Sequence, residues 1–342
     1  MSLEEAEHCQ YALDLAESGV YKKVLAAKNL INLFGLMVLG YSYCKLRKSK
    51  KFAALHMNVR YNLHLQALFV AQVVTFMLAG NLWDLLRLIP VHRDPCNYML
   101  PFWLTFLIRE SYMFGVLGQT LTFVMLSIER IYATFHRGHE SSRSKIPFIL
   151  STITIFVLCF CYAFVYMGYD ADWSQRTEMV TQHNDNNRGR IQYFVFIIIG
   201  CECFSLVLYN VTYFLNHRDK NRIFVHNRRL GQISKSLTEK YQTGENRKVA
   251  KLMLPMCWIH FILYILGYGI WIVLQRTVFY ESEDTALITS VIEATGFAAF
   301  YTFVFSYFCL KNFVWKSNFT NLVESETTSE YFKQMNSLFR SG

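Results

Sequence analysis

The sequence predicts an all-α membrane protein, a bundle of seven transmembrane helices with the N-terminus outside. Only 17% of the 342 residues are charged and 53% are hydrophobic, whereas about a quarter of the residues in a soluble chain are charged. Seven stretches also have the roughly 20 mostly apolar residues that a helix needs to cross a bilayer. The distribution of Lys and Arg between these stretches predicts the orientation.

The seven predicted spans follow one another along the chain. They cover residues 24–46, 61–86, 104–132, 147–168, 191–215, 250–274 and 286–310. The first span is the least apolar, because Lys28, Asn29 and Asn32 interrupt its outer end, whereas the fourth has no charged residue. We therefore predict an extracellular N-terminus (1–23), a seven-helix domain (24–310) and a cytoplasmic tail (311–342).

Basic residues are concentrated in every second connection. With the N-terminus outside, the inner segments contain 24 Lys and Arg and the outer segments contain 8. Cytoplasmic loops carry such an excess of positive charge, which predicts that the C-terminus is inside. The acidic first residues lack the basic start and apolar core of a cleavable signal peptide, so we expect the first span to act as its own insertion signal.

The net charge of +9 does not predict a nucleic-acid partner, because the basic residues stand in short clusters beside apolar runs, as is typical of membrane flanks. No zinc-type Cys/His spacing, P-loop or glycine-rich dinucleotide motif occurs, and we expect no metal and no cofactor. An intramembrane enzyme would need paired Asp, a Ser/His pair or a His cluster at membrane depth. The spans offer none of these, so no catalytic residue is predicted.

Most of the nine cysteines lie inside the apolar runs or at their inner ends. Only Cys9 and Cys96 fall outside on the predicted topology. In an oxidising exterior they would form one disulfide. Two free thiols are the alternative, and both interpretations stay open at this point.

The clearest local signal is the acid–base pair Glu129-Arg130, which closes the third span at its inner end. An arginine at the membrane edge is costly unless it is paired or hydrated. Held by Glu129, Arg130 would stabilise a resting bundle; released, its donors would engage backbone carbonyls of a partner protein. The alternative is a pair that only anchors the end of the helix.

Four short motifs stand beside different spans. They are residues 55–58 (LHMN), 94–96 (DPC), 128–134 (IERIYAT) and 237–246 (LTEKYQTGEN). In this order they resemble motifs of nematode chemoreceptors of the Sra superfamily, and together they span nearly the whole chain. The DPC motif and the early Cys9, followed by Ala12, are most similar to serpentine receptor class AB.

This resemblance implies a G-protein-coupled chemosensory receptor in the plasma membrane, and a sensory neuron or its cilium as the location. The implied partners are a small-molecule chemical ligand of unknown identity, a heterotrimeric G protein and the lipid bilayer. Glu129 and Arg130 then stand where seven-helix receptors have their activation switch. The last span has no Asn-Pro-x-x-Tyr, and the outer loop, residues 169–190, has no Cys. Both absences argue against an amine- or peptide-type rhodopsin-like receptor.

Ionisable residues inside spans are candidates for a ligand pocket. Arg109 precedes Arg130 by 21 residues, or about 31 Å of helix, and shares nearly the same helix face. It should therefore point inward near the outer surface, with Glu110 pointing away from it. The hypothesis is a pocket lined by Arg109, Glu202, His260 and Glu293. Polar contacts between helices are the alternative.

A seven-helix channel or transporter is the alternative function. A channel would need a continuous polar path through the bundle, which the scattered ionisable residues do not establish. Transporters often have paired half-repeats with helices broken by Gly or Pro. None of the five prolines lies at mid-span, so the pattern favours a receptor.

Overall fold

The structure is a computed structural model, and it describes residues 3–53, 55–135, 146–180, 188–230, 237–277, 289–291 and 298–315. The described chain is almost wholly helical. Its main helices are α1 (Leu3–Glu17), α2 (Gly19–Arg47), α3 (Lys50–Ala53), α4 (Met57–Leu88), α5 (Phe102–Phe135), α6 (Ile146–Phe160), α7 (Arg188–Leu230), α8 (Leu237–Thr277) and α9 (Ala298–Cys309).

Six helices of the described chain are long and apolar enough to cross a membrane. They are α2, α4, α5, α6 with its π-helical extension Cys161–Tyr166, α7 and α8. This confirms the predicted all-α membrane fold. The seventh predicted span, 286–310, lies partly outside the described residues, and α9 is the end of it that the structure shows.

Side-chain caps and charges set the ends of the first helices. The Ser18 hydroxyl accepts a hydrogen bond from the Tyr21 amide at 3.2 Å and so caps α2. The last turn of α2 carries Lys45 and Arg47, whose positive charge complements the C-terminal end of the helix dipole. The chain then turns through α3 and enters α4.

The helix α5 is the centre of the bundle, since it packs against α4, α6, α7 and α8. From Glu110 to Ser127, none of its side chains is exposed. Arg109 is only partly buried, whereas its neighbour Glu110 is 1% exposed. The helix-face pattern does not predict the burial of Glu110, because the middle turns of α5 have other helices on every side.

Two glycines let α4 and α5 approach closely. A Cβ atom at Gly115 would lie 2.7 Å from Val73 Cγ2 and 3.2 Å from the Phe69 carbonyl oxygen. A Cβ atom at Gly118 would lie 2.4 Å from the Phe69 ring. Small residues permit such backbone approach in membrane bundles, where close van der Waals packing replaces the hydrophobic drive.

One end of the bundle, here called the cap end, is covered by α1. Cys9 of α1 forms a disulfide with Cys96, which lies in a short 3₁₀ turn, Pro95–Tyr98. Next to this turn, β1 (Leu100–Pro101) pairs antiparallel with β2 (Arg176–Thr177). The ribbon and the disulfide together join the N-terminal helix, the start of α5 and the loop after α6.

Arg87 fastens the same loop to α4. Its guanidinium contacts Asp84 at 2.9 Å and donates to the backbone carbonyls of Tyr98 and Glu178. Asp84 in turn accepts a hydrogen bond from the amide of Val180 at 3.1 Å. These hydrogen bonds and the β1–β2 ribbon hold the loop after α6 in place, although this loop contains no cysteine.

The opposite end, here called the switch end, carries Glu129 and Arg130. Here α9 continues as a π-helical segment, Leu310–Trp315, that packs on the turn after α2. The Ser49 hydroxyl donates to the Phe313 carbonyl at 2.6 Å, and the rings of Phe52 and Phe313 meet edge to face. The predicted tail beyond residue 315 lies outside the described residues.

Candidate functional site

Arg130 lies at the switch end with none of its surface exposed. One terminal nitrogen donates to Glu129 Oε1 at 2.6 Å, and the other donates to Asn246 Oδ1 on α8 at 3.0 Å. Burying an arginine costs free energy unless its charge is paired and hydrogen-bonded. The guanidinium therefore joins α5 to α8 through one charged and one neutral acceptor.

Two further contacts extend this arrangement to α4 and α7. Glu129 Oε1 also accepts from Asn58 Nδ2 at 2.6 Å, in the first turn of α4. The Thr134 hydroxyl donates to the Arg130 carbonyl at 2.8 Å and lies 3.0 Å from Asn216 Nδ2 on α7, which donates to it. We call this four-helix set the switch network: Asn58, Glu129, Arg130, Thr134, Asn216 and Asn246.

A second group of polar side chains lies in the middle of the bundle. His260 Nδ1 is 2.8 Å from Glu202 Oε1, and His260 Nε2 is 3.1 Å from Gln119 Oε1. Glu202 and His260 have no exposed surface. Both ring nitrogens of His260 therefore face side-chain oxygen atoms of neighbouring helices.

Aromatic rings and one more amide complete this group. The His260 ring lies 4.4 Å from the Tyr264 ring and 4.5 Å from the Tyr301 ring, centroid to centroid. The Tyr301 hydroxyl accepts from Gln66 Nε2 at 3.0 Å. We call this set the middle layer: Gln66, Gln119, Glu202, His260 and Tyr301. It draws side chains from α4, α5, α7, α8 and α9.

The structure does not place Arg109 beside this layer. Arg109 Nε donates to the Val180 carbonyl at 3.2 Å, and its guanidinium lies 5.9 Å from the Tyr112 ring. Gln119 follows ten residues later, which is about 15 Å along the helix. Glu293, the fourth residue of the pocket hypothesis, lies outside the described residues.

Two tyrosines of α8 lie between Arg109 and the middle layer. The rings of Tyr264 and Tyr268 are 5.8 Å apart, and Tyr268 is in electrostatic range of Arg109 and Tyr112. The Tyr264 and Tyr268 hydroxyls are buried and have no hydrogen-bond partner among the described residues. Leaving such groups unbonded is costly, so these two hydroxyls are available to bond a small molecule.

Glu110 is a further candidate site residue, which the helix-face pattern of the sequence does not predict. Neither carboxylate oxygen has a hydrogen-bond partner in the part of the chain that the structure describes. It is in electrostatic range of Tyr162, which belongs to the π-helical segment Cys161–Tyr166. Short π-helical segments occur often at functional sites. Across the described ranges, no three His, Cys, Asp or Glu side chains are grouped to hold a metal ion.

Residues 6–339 match the model of a protein family described as serpentine type 7TM GPCR receptor class ab chemoreceptor. The chain belongs to this family. Class ab serpentine receptors are chemoreceptors with a GPCR-like architecture of seven helices, and they are not an enzyme family. The match confirms the predicted all-α, seven-helix membrane fold, the multi-pass membrane location and the resemblance to class AB. No individual curated protein matches the chain.

In this class ab serpentine receptor, three of the four sequence motifs meet in the switch network. Asn58 ends the LHMN motif, Glu129 and Arg130 belong to IERIYAT, and Asn246 ends LTEKYQTGEN. The sequence predicts only the acid–base pair of this network, Glu129 and Arg130. The signal for the two asparagines was their place in motifs that flank different spans, but nothing in the sequence showed that the motifs touch.

Proposed function

We propose that this class ab serpentine receptor binds a small chemical ligand at its cap end, outside the cell, and activates a heterotrimeric G protein at its switch end, inside the cell. The single observation that carries the proposal is the complete burial of Arg130 between partners on two helices. A charge buried in this way depends on its partners. A change of helix packing that separates Arg130 from Asn246 would therefore free its guanidinium to bind elsewhere.

The proposed orientation has two supports. Basic residues favour the switch end by 24 to 8, as expected for the cytoplasmic side. The Cys9–Cys96 disulfide lies at the cap end, and disulfides persist in oxidising surroundings such as the cell exterior. The plasma membrane, the N-terminal segment (1–23) and the cytoplasmic tail (311–342) are part of this proposal.

The proposed G-protein surface lies where two helices continue past the membrane spans. The span of α7 ends at His217 and the span of α8 begins at Asn246, but the helices themselves reach Leu230 and start at Leu237. The two extensions begin next to switch-network residues, Asn216 on α7 and Asn246 on α8. A partner that docks on them therefore comes within reach of Glu129, whose side chain is 28% exposed.

Activation is a shift between two packings of the bundle. In the packing described here, Asn246 and Glu129 hold Arg130. The hydroxyl of Tyr209 on α7 is buried in electrostatic range of Arg130 and has no hydrogen-bond partner among the described residues. It offers an acceptor inside the bundle when Arg130 leaves Asn246.

The proposed ligand pocket extends from Arg109 at the cap end to Glu202 and His260 in the middle layer, with Glu293 as a further candidate.

Pro255 lies inside α8 between the middle layer and Asn246. A proline inside a helix removes one backbone hydrogen bond and permits a kink. Movement of His260 on ligand binding would therefore turn the part of α8 that carries Asn246.

The test is to express the full chain with a panel of G proteins and to compare wild type with Arg130→Ala and Lys248→Ala. Lys248 is an exposed basic residue on α8, so its substitution is a matched control for lost charge. We expect coupling, basal or evoked by a chemical panel, to be lost in Arg130→Ala and kept in Lys248→Ala at equal surface levels. Equal coupling in all three proteins would remove Arg130 from the mechanism. Ion currents without any G protein would support a channel instead.

A further inference from the structure

A cavity of about 200 Å³ opens at the switch end between α2, α3 and α4. It belongs neither to the ligand pocket nor to the switch network. The cavity is lined by Arg47, Phe52, Ala53, Arg60, Tyr61 and His64. Its polar lining is thus basic, with two arginines and a histidine and no acidic residue.

These basic groups have no acidic partner among the described residues. No described carboxylate pairs with Arg47 or Arg60, and both arginines act electrostatically on His64. The Nε of Arg60 and the Nδ1 of His64 are buried without a hydrogen-bond partner among the described residues. Positive groups that converge at a membrane edge without a counter-charge are costly. An anion in the cavity would remove this cost.

The donors fit a phosphate group. Each guanidinium presents a planar fork of N–H groups that matches two phosphate oxygens. The imidazole of His64 adds a single donor beside them. The rings of Phe52 and Tyr61 form the apolar part of the wall, and the two guanidinium groups are its charged part.

The surface next to the cavity indicates that the anion carries acyl chains. Arg60, His64 and Leu68 follow one another at four-residue spacing and so share one face of α4. Leu68, the deepest of the three in the membrane, is 53% exposed. On α2, Met37 and Tyr41, which precede Arg47 in the chain by ten and six residues, are also exposed. The surface therefore changes from basic to apolar in the direction in which a lipid changes from headgroup to chain.

We propose that this cavity binds the phosphate headgroup of one anionic phospholipid from the leaflet at the switch end. Arg47 and Arg60 bind the phosphate oxygens, and the acyl chains lie along the exposed apolar surfaces of α2 and α4. Basic pockets between transmembrane helices on one side of a membrane recur as lipid-headgroup sites. The site does not depend on the identity of the ligand or of the G protein.

The test uses the full-length receptor in phosphatidylcholine nanodiscs titrated with phosphatidylinositol 4-phosphate, with bound lipid measured by native mass spectrometry. Arg47→Gln/Arg60→Gln is compared with Lys48→Gln/Lys50→Gln, which removes the same charge from exposed residues that do not line the cavity. We expect one saturable lipid on wild type, and an affinity loss about tenfold greater in the arginine variant than in the lysine variant. Equal losses would mean a diffuse basic surface and would overturn the site.

Two further arms separate the remaining outcomes. If soluble inositol phosphate binds the receptor as tightly as the lipid does, the cavity is a site for a free anion. If phosphatidylcholine binds as tightly as phosphatidylinositol 4-phosphate, the cavity does not recognise the anionic headgroup. Thermal unfolding in phosphatidylcholine alone checks that the variants are folded. If the double arginine variant unfolds, Arg60→Lys is tested instead, because it keeps the positive charge and removes the planar guanidinium group. It should still bind the lipid more weakly than wild type, and unchanged binding would contradict the proposal.

Discussion

Arg130 depends on two acceptors of different kinds, a carboxylate on its own helix and an amide on α8. The amide oxygen of Asn246 is the contact that a rearrangement of α8 would break first, because Glu129 moves together with Arg130. In the proposed mechanism, this hydrogen bond is therefore one of those that determine how readily the switch network opens.

We predict that Asn246→Leu raises basal coupling, because it removes that acceptor and leaves the Glu129–Arg130 pair intact. An interhelical hydrogen bond of this type contributes about 1–2 kcal/mol, which corresponds to a roughly five- to thirtyfold shift between resting and active packings. Asn246→Asp should lower basal coupling, since it adds a second negative charge. The readout is basal G-protein activation at equal surface level. Identical basal activity in both variants would mean that this bond does not hold the resting state.

Glu110 and Glu202 are equally buried carboxylates with different surroundings. Glu202 lies within ion-pair distance of His260, whereas Glu110 has no hydrogen-bond partner in the described chain. Glu202→Gln should lower the thermal midpoint of unfolding, because it removes the buried carboxylate oxygen that lies 2.8 Å from His260 Nδ1. Glu110→Gln should leave the midpoint unchanged or raise it, because it removes an uncompensated buried carboxylate. Thermal unfolding of both variants in detergent measures this difference, and an equal drop in both would contradict it.

The sequence revealed the network only where its members are neighbours in the chain. Glu129 and Arg130 are adjacent, so their pairing was predictable. Asn58 lies 71 residues before Glu129, and Asn246 lies 116 residues after Arg130. Asparagine also carries no charge that would mark it as unusual in an apolar run. Bringing these residues together requires the packing of the helices, which a single sequence does not provide.

At the scale of helices, the close contact between α4 and α5 depends on glycine at position 115, which has no Cβ atom. At Gly115 an added methyl group would meet the Phe69 carbonyl and the Val73 amide, both at 3.2 Å. These are backbone atoms, and a rotamer change cannot move them away. The two helices would therefore have to separate.

We predict that Gly115→Ala destabilises the receptor by about 1–3 kcal/mol, the usual cost of overpacking a close-fitting contact. Gly200→Ala on α7 is the matched control, since nothing lies within 4 Å of the added Cβ atom. That control should be neutral or slightly stabilising, because alanine favours a helix over glycine. Thermal unfolding of the two variants gives the comparison. A control as unstable as Gly115→Ala would mean that close packing is not the cause.

The lengths of the apolar runs predicted which parts of the chain form the long helices but not where the helices end. Apolar sequence stops at the membrane surface, whereas backbone hydrogen bonding continues, so α7 and α8 extend well past their apolar parts. The helix α1 was not predicted, because its apolar side faces a small cluster at the cap end and no long apolar run marks it. The ribbon of β1 and β2 has two residues on each side, which is too short for a sequence pattern.

For the whole molecule, the described features form a line along α5. Arg109 lies at the cap end, Gln119 lies in the middle layer and Arg130 lies in the switch network. This line agrees with a receptor in which ligand and G protein bind at opposite ends and influence each other only through the packing of the helices.

We predict that Arg109→Ala reduces the potency of an activating ligand from the chemical panel and leaves basal coupling unchanged, because the substitution is about 31 Å along the helix from Arg130. The expected loss of potency is about tenfold or more if Arg109 binds the ligand directly. Arg176→Ala, at an exposed cap-end position, is the control and should not change potency. A normal ligand response in Arg109→Ala would place the ligand elsewhere. Altered basal coupling would show a structural role instead.

Residues from three sequence motifs are hydrogen-bonded to one another in the switch network, and this constrains how the sequences of class ab serpentine receptors can diverge. Asn58, Glu129, Arg130 and Asn246 come from three distant segments, yet each hydrogen bond requires both of its members. A substitution at one of these positions should therefore persist in a lineage only when its partner changes with it. In an alignment of many class ab serpentine receptors, we expect positions 58 and 129, and positions 130 and 246, to vary as linked pairs. Independent variation at these positions would mean that the network is not under common selection.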